Sequence, residues 1–247
     1  MKTILDHPLI SERYFFPEHR HIPDAFIVQS GEHKLACLYR RKETPLCIIH
    51  FHGNGEEVVD YYDSPLSSVN ASVLYAEYRG FGLSTGKPQL VAMTDDIDAF
   101  VEASGYAPEN IVFMGRSIGS VYAIEVASRY PECAGLIIES GIANVAEFLL
   151  KRISVDELGV TYDMFTEACK TYLNHRAKLQ AYEGQSLIMH TRFDDLVDVN
   201  NAYDLHEWAG ETSELCIFER GNHNCVLRCN EDGYLERLEA FLLTIEI

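Results

Sequence analysis

Asn110-Ile111-Val112-Phe113-Met114-Gly115-Arg116-Ser117-Ile118-Gly119 decides the fold. Its first half, Asn110–Met114, is a short continuous apolar run of the kind carried by strands covered on both faces. Ile118–Arg129 continues with helical periodicity. Between them Gly115-Arg116-Ser117-Ile118-Gly119 reads G-x-S-x-G. Such a pentapeptide arises by chance often enough to mean little alone; the strand before it and the helix after it give it weight. The glycines let the chain turn sharply and keep side chains out of the elbow. The serine hydroxyl is then held at the carboxyl edge of a sheet, beside a helix N-terminus. The plain alternative is a serine that caps a helix between glycines.

Outward from the elbow, apolar runs alternate with amphipathic stretches. Ala25–Ser30 and Lys34–Arg40 flank Gly31-Glu32 and predict an antiparallel hairpin. Leu46–His52, Ser72–Tyr78, Gly135–Glu139, Ser186–His190 and Leu215–Glu219 predict further strands, each buried on both faces. Gln89–Ala103, with Leu90, Met93, Ile97, Phe100 and Val101 near a 3.6-residue period, predicts a helix, as do Asn200–Ala209 and Glu231–Leu243. The pattern is that of an α/β fold: a mostly parallel central sheet with an antiparallel N-terminal hairpin and helices on both faces. Gly141–Gly184 is too long for a simple crossover. Its helical patches, Val145–Arg152 and Phe165–Gln180, predict a small helical cap inserted at 141–184 into a single domain, 1–247. Phe148, Leu149, Leu150, Tyr162, Met164 and Phe165 either pack that cap on the core or line an acyl pocket.

Composition narrows the function. Lys and Arg number 20 against 38 Asp and Glu, a net charge of −18, with 47% hydrophobic and 23% charged residues. No basic stripe is present to displace counterions, which argues against a nucleic-acid partner. The longest apolar run, Leu35–Tyr39, is far below the roughly 20 residues of a spanning helix, so no transmembrane segment is expected. Met1–Pro8 has no secretory-type apolar stretch and neither end carries a lipidation signal, so the expected setting is the cytoplasm. Seven scattered cysteines (37, 47, 133, 169, 216, 225 and 229) without a CxxC fit reduced thiols. Cys225 and Cys229 follow His223, but a fourth ligand at motif spacing is missing, so no metal is expected.

A serine hydroxyl needs a base, and the base an orienting acid. In such sheets both belong in loops after strand ends. Thr191-Arg192-Phe193-Asp194-Asp195-Leu196-Val197-Asp198 follows one strand and offers Asp194, Asp195 and Asp198. Arg220-Gly221-Asn222-His223-Asn224 follows the last and offers His223. The order Ser, Asp, His excludes the chymotrypsin and subtilisin orders. Of the other histidines, His50 and His52 lie on or just past one strand, His190 ends another, and His7, His19, His21, His33, His175 and His206 stand outside any motif.

Four motifs resemble the α/β-hydrolase superfamily: Phe51-His52-Gly53-Asn54-Gly55, Tyr78-Arg79-Gly80-Phe81-Gly82-Leu83-Ser84-Thr85-Gly86, Gly115–Gly119, and His190 to Val197. The chain is most similar to small-cap serine hydrolases that include mammalian depalmitoylating thioesterases, although it shows no N-terminal cysteine cluster or anchor of the kind some of them carry. The resemblance implies Ser117 as nucleophile. The spacing H-x-x-x-D-x-x-V implies Asp194 as the acid, and G-x-H-N implies His223 as the base. It further implies an oxyanion hole from the N–H groups of Ile118 and Asn54, and a bracing role for His52. Where the family has Asp, this chain has Glu77. Arg79 reads as a clamp between loops, and Arg116 as exposed or paired with a carboxylate. The implied chemistry is an acyl-enzyme on Ser117 cleaving a carboxylic ester or thioester of a small or acyl substrate, with no metal or organic cofactor. A peptidase or amidase using the same three residues, or a non-catalytic binding protein on this fold, are the alternatives. The sequence sets no oligomeric state.

Overall fold

Apolar runs bounded by turn residues can satisfy their backbone only by pairing, and here they pair into one eight-stranded sheet. The computed structural model describes residues 2–245. The strands are β1 (Phe26–Ser30), β2 (His33–Arg40), β3 (Cys47–Phe51), β4 (Ser72–Ala76), β5 (Ile111–Arg116), β6 (Gly135–Glu139), β7 (Ser186–Thr191) and β8 (Ser213–Phe218). Their spatial order is β1-β2-β4-β3-β5-β6-β7-β8. The β1–β2 and β2–β4 pairs are antiparallel and all others parallel. Every residue of β3 to β7 is buried. Strand β8 is largely half-buried, unlike the expectation of full cover, because it is the edge of the sheet.

Successive side chains point to opposite faces and build two cores. On one face Ile49, Phe51, Phe113, Leu136 and Ile138 pack with helix α3 (Gly119–Arg129). On the other, Ile48, Val112, Met114, Ile137 and Leu187 pack with Tyr234, Leu238 and Phe241 of the C-terminal helix, Glu231–Thr244.

The structure redraws three expected elements. Gln89–Ala103 is half 3₁₀ turn (Ala92–Asp96), and only Ile97–Ser104 is α-helix, here α2. Side chains divert the backbone upstream: the Asp6 carboxylate accepts the N–H groups of Val91 and Ala92, and Thr94 Oγ1 donates to the Val91 carbonyl. Phe165–Gln180 is two helices, α5 (Tyr162–Tyr172) and α6 (His175–Ala181), preceded by α4 (Val145–Leu150). Asn174 accepts the Ala177 N–H and starts the new helix. Helix α6 packs on α3 and on α7 (Asn200–Ala209), so it belongs to the main helical layer rather than to a cap. An N-terminal helix, α1 (Pro8–Tyr14), was not foreseen. It buttresses α4 and the chain after it: the Tyr14 hydroxyl donates to the carbonyls of Phe148 and Leu149, and Arg13 forms a forked pair with Glu157. A short α8 (Val226–Cys229) precedes α9, the C-terminal helix named above. No helix among the described residues is long and apolar enough to cross a membrane.

Two fully buried histidines tie this fold to pH. His50 packs against the stacked rings of Tyr61 and Tyr75, at 4.7 and 5.5 Å between centroids, and burial pushes it down to about 3. His175 donates from Nδ1 to the Ile142 carbonyl at 2.7 Å, and burial pushes it down to about 4. Both stay neutral in the fold and take a proton on unfolding, so stability is complete above pH 6.5 and declines as pH falls from there toward 4. At pH 5 each group should cost about 2 kcal/mol relative to neutral pH. The variant His175→Asn should therefore show a flatter dependence of Tm on pH between 7 and 5 than the wild type; an unchanged slope would count against this origin.

Candidate active site

The strand order reverses between β3 and β5, so the loops leaving their carboxyl ends diverge and open a crevice. Ser117 stands there, directly after β5. Its φ of +53° is a left-handed conformation that a non-glycine residue adopts at a cost. The turn is possible because both neighbouring glycines lack Cβ. One built on Gly119 would meet the Phe51 carbonyl oxygen at 2.1 Å, and one on Gly115 the Gly119 carbonyl oxygen at 2.5 Å. The Ser117 N–H donates to the Glu139 carbonyl at the end of β6 (2.9 Å), which fixes the elbow against the next strand.

Three side chains distant in sequence meet at this edge. Ser117 Oγ lies 2.9 Å from His223 Nε2, and His223 Nδ1 lies 2.7 Å from Asp194 Oδ2. An ionised carboxylate only accepts, so Nδ1 carries the proton and Nε2 is free to accept from the hydroxyl. Ser117 and His223 are each 4% exposed, so little water competes for these bonds. Asp194 receives three donors: the N–H groups of Leu196 and Val197 on Oδ1, and His223 on Oδ2; His190 Nε2, which donates to the Val197 carbonyl at 2.8 Å, lies 3.2 Å from the same Oδ2. Burial pushes its carboxyl up, but these donors outweigh burial and hold it well below the usual carboxylate range. Asp195 is exposed, and Asp198 accepts the Asn200 N–H at the start of α7. Of the three sequence candidates, the structure brings only Asp194 to His223.

The loop after β3 carries Asn54, whose N–H the resemblance implies as an oxyanion donor. The Gly53 N–H is already spent on Glu56 Oε2 at 2.7 Å. The N–H groups of Asn54 and Ile118 donate to no acceptor among the described residues and stay available for developing negative charge. His52 sits beneath the loop: Nε2 donates to Glu77 Oε1 (2.8 Å) and Nδ1 to the Gly53 carbonyl (2.7 Å). Burial alone would lower His52, but the Glu77 carboxylate overrides it and raises the imidazole above its ordinary value. Glu77 thus serves where the family has Asp, as a buried counter-ion. Arg79 clamps Asp96 through two 2.7 Å bonds, and Asp96 also accepts from Ser30 Oγ.

Sequence reasoning missed Glu56 and Glu57. Besides holding Gly53, Glu56 accepts the Tyr61 hydroxyl. Glu57 accepts the N–H groups of Glu18, His19, Arg20 and Gly82, and so ties the N-terminal segment and the Tyr78–Gly86 loop behind the site. Two adjacent acids directly after His52-Gly53-Asn54-Gly55 were the available signal. Arg116 is buried and paired with Glu56 and Glu139. Of the cap residues, Leu149 and Phe165 are core, while Tyr162 and Met164 are 61% and 59% exposed. Tyr162 and Leu150 line a cavity of about 610 Å³, and a second of about 580 Å³ lies behind Arg116; neither is lined by Ser117, Asp194 or His223.

Comparison with known proteins fits this geometry. Structures similar over nearly the whole chain include an esterase of Pyrococcus furiosus (TM-score 0.72, 17% identity, 93% of this chain and 99% of that one) and a monoacylglycerol lipase of Paleococcus ferrophilus (TM-score 0.67, 14%, 85% and 98%). The chain has the α/β-hydrolase fold. Residues 42–154, just under half of the chain, match the family described as serine aminopeptidase, S33. Mouse and human alpha/beta hydrolase domain-containing protein 17C are each 27% identical to this chain over 220 residues, 85% of its length. The chain spans just under two thirds of the length of these curated relatives, 64% and 63%.

All three hydrogen-bonding partners of the Asp194 carboxylate are donors, on both of its oxygens, and an amide offers only one accepting atom. Asp194→Asn should therefore turn the imidazole to the wrong tautomer and lower turnover by roughly 10²–10⁴-fold, with Asp195→Asn close to wild type. Steady-state kinetics of the two variants on one ester substrate check this, and the reverse ranking would refute it.

Proposed function

We propose that this α/β-hydrolase is a serine hydrolase cleaving a carboxylic ester or thioester through an acyl-enzyme on Ser117. The observation that carries the proposal is the unbroken chain from Ser117 Oγ through the His223 ring to the Asp194 carboxylate. His223 Nε2 takes the hydroxyl proton as Oγ attacks the substrate carbonyl. The N–H groups of Ile118 and Asn54 receive the oxyanion, each such donor contributing about 3 kcal/mol to barrier lowering. The imidazolium then protonates the departing alcohol or thiol. Water, deprotonated by His223, attacks the acyl carbon and releases the acid, returning the proton to Ser117 Oγ. The structural neighbours named as an esterase and a lipase support an ester bond.

An amide or peptide bond is the second reading, and the serine aminopeptidase description of the matching family favours it. The same residues would serve, but amine departure demands a more complete proton transfer from His223.

A fluorophosphonate probe should label the wild type and leave Ser117→Ala unlabelled; equal labelling of the two would overturn the proposal. Ser117→Ala or His223→Ala should lower turnover by roughly 10⁴–10⁶-fold with the fold intact. Short-chain p-nitrophenyl esters and acyl thioesters should turn over faster than aminoacyl-naphthylamides. The opposite preference would install the amidase reading.

A further inference from the structure

The second residue of the elbow, Arg116, contacts three separate segments around the site. Its guanidinium donates from Nη2 to the backbone carbonyl of His223 at 2.6 Å. Nη1 lies 2.7 Å from Glu56 Oε1, and Nε donates to Glu139 Oε1 at 3.1 Å. Each partner continues to a different part of the machinery. Glu56 holds the Gly53 N–H in the oxyanion loop with its other oxygen. Glu139 takes the Ser117 N–H on its own backbone carbonyl, and its Oε2 accepts the Tyr234 hydroxyl at 2.6 Å. The approach to the oxyanion loop is so close that a Cβ on Gly53 would stand 2.6 Å from Arg116 Nη1.

From these contacts we infer that Arg116 is a positioning residue, whose planar fork locks the His223 loop and the Gly53-Asn54 loop to the nucleophile strand. The inference rests on the proposed serine-hydrolase reading and extends it. The geometry needs a guanidinium: three donors must leave one plane in three fixed directions, which an ammonium on a flexible stem cannot supply. Stability alone is a poor account of it. A cation this deeply buried, 8% exposed between two carboxylates, gains little net free energy from its pairs once desolvation is counted. Two of its contacts end on the loops that carry His223 and Asn54, and the third on Glu139, whose backbone carbonyl holds the Ser117 N–H. Burial raises the Glu139 carboxyl more than Arg116 lowers it, whereas Arg116, Tyr61 and Gly53 together hold Glu56 below its ordinary value against burial. The Glu56 side of the fork is thus the firmly ionic one, and it is the side that reaches the oxyanion loop. Behind the guanidinium lies the cavity of about 580 Å³ lined by Tyr61, Glu139, Asn224 and Tyr234.

That cavity supplies the test. Arg116→Ala should fold, lose roughly 10²-fold in kcat and keep KM within about threefold, because the reacting groups drift while the substrate surface is untouched. Guanidinium chloride at low, non-denaturing concentration should restore at least tenfold with saturation, while ammonium chloride at equal ionic strength should not. Turnover within threefold of wild type, or a loss in folded protein that guanidinium leaves unchanged, would overturn the inference. If Arg116→Ala fails to fold, Arg116→Lys decides: the inference requires a kcat at least tenfold down, and wild-type kcat refutes it. Fluorophosphonate labelling separates the two levels. A wild type that does not label defeats the serine-hydrolase reading; a wild type and an Arg116→Ala variant that label at equal rates defeat only the role of Arg116.

Discussion

The structure depends on one close approach of backbone to backbone. Helix α3 begins so near the end of β3 that the Gly119 α-carbon leaves no room for a Cβ beside the Phe51 carbonyl. That contact sets the distance between the loop after β3 and the loop after β5. Only at that distance do two free N–H groups, one from Asn54 and one from Ile118, lie on loops that share a crevice. A wider elbow would carry the serine hydroxyl away from the imidazole as well, because the Ser117 N–H is pinned to the Glu139 carbonyl on the other side. The strained φ of Ser117 is tolerated because β3 on one side and β6 on the other hold the elbow in place.

Charge is placed with equal economy. A chain of net charge −18 has many carboxylates, yet those it buries near the site are all matched. Glu77 faces His52, Asp96 faces Arg79, Glu139 and Glu56 share Arg116, and Asp194 faces two histidines and two backbone N–H groups. Buried pairs of this kind add little net stability, but removing one partner strands a charge. Their effect is therefore to make alternative loop conformations costly. The loops they fix are those after β3, β4, β5, β6 and β7, which is where an α/β sheet concentrates its chemistry.

Much of this was legible because the periodicities are strong. The central strands announce themselves as apolar runs, since β3 to β7 are covered on both faces and carry few polar residues. Asn200–Ala209 is a helix over the expected residues. What was not legible came from side chains that bind backbone. The Asp6 carboxylate pulls residues 91–92 out of a regular helix, and Asn174 splits the stretch from 162 to 181 into α5 and α6. Helix α1 escaped because it is short and its first turn is capped by His7 Nδ1, an unusual cap. At the site, the family resemblance pointed to Ser117, Asp194 and His223, the three side chains that the structure brings together. The pairing of Arg116 with Glu56 and Glu139 was not legible, because its partners lie 60 and 23 residues away and no local rule joins them.

The environment of Asp194 also bears on what it does in the proposed mechanism. A carboxylate that receives three donors, spread over both oxygens, has most of its accepting capacity committed before any reaction begins. Protonating it would displace a donor as well as neutralise a buried charge that His223 and His190 both face. With its carboxyl held well below the usual range, the proton shared along the Ser117–His223–Asp194 chain stays on the imidazole during attack. Asp194 then acts by fixing the tautomer and by stabilising the imidazolium, and the two N–H groups of Leu196 and Val197 keep its carboxylate plane facing Nδ1 while the ring carries the charge. Had the acid been Asp195 or Asp198, exposed and short of such donors, water would have screened that stabilisation. In the proposed mechanism, burial of the acid, rather than its mere presence in the loop, is what would make the histidine an effective base.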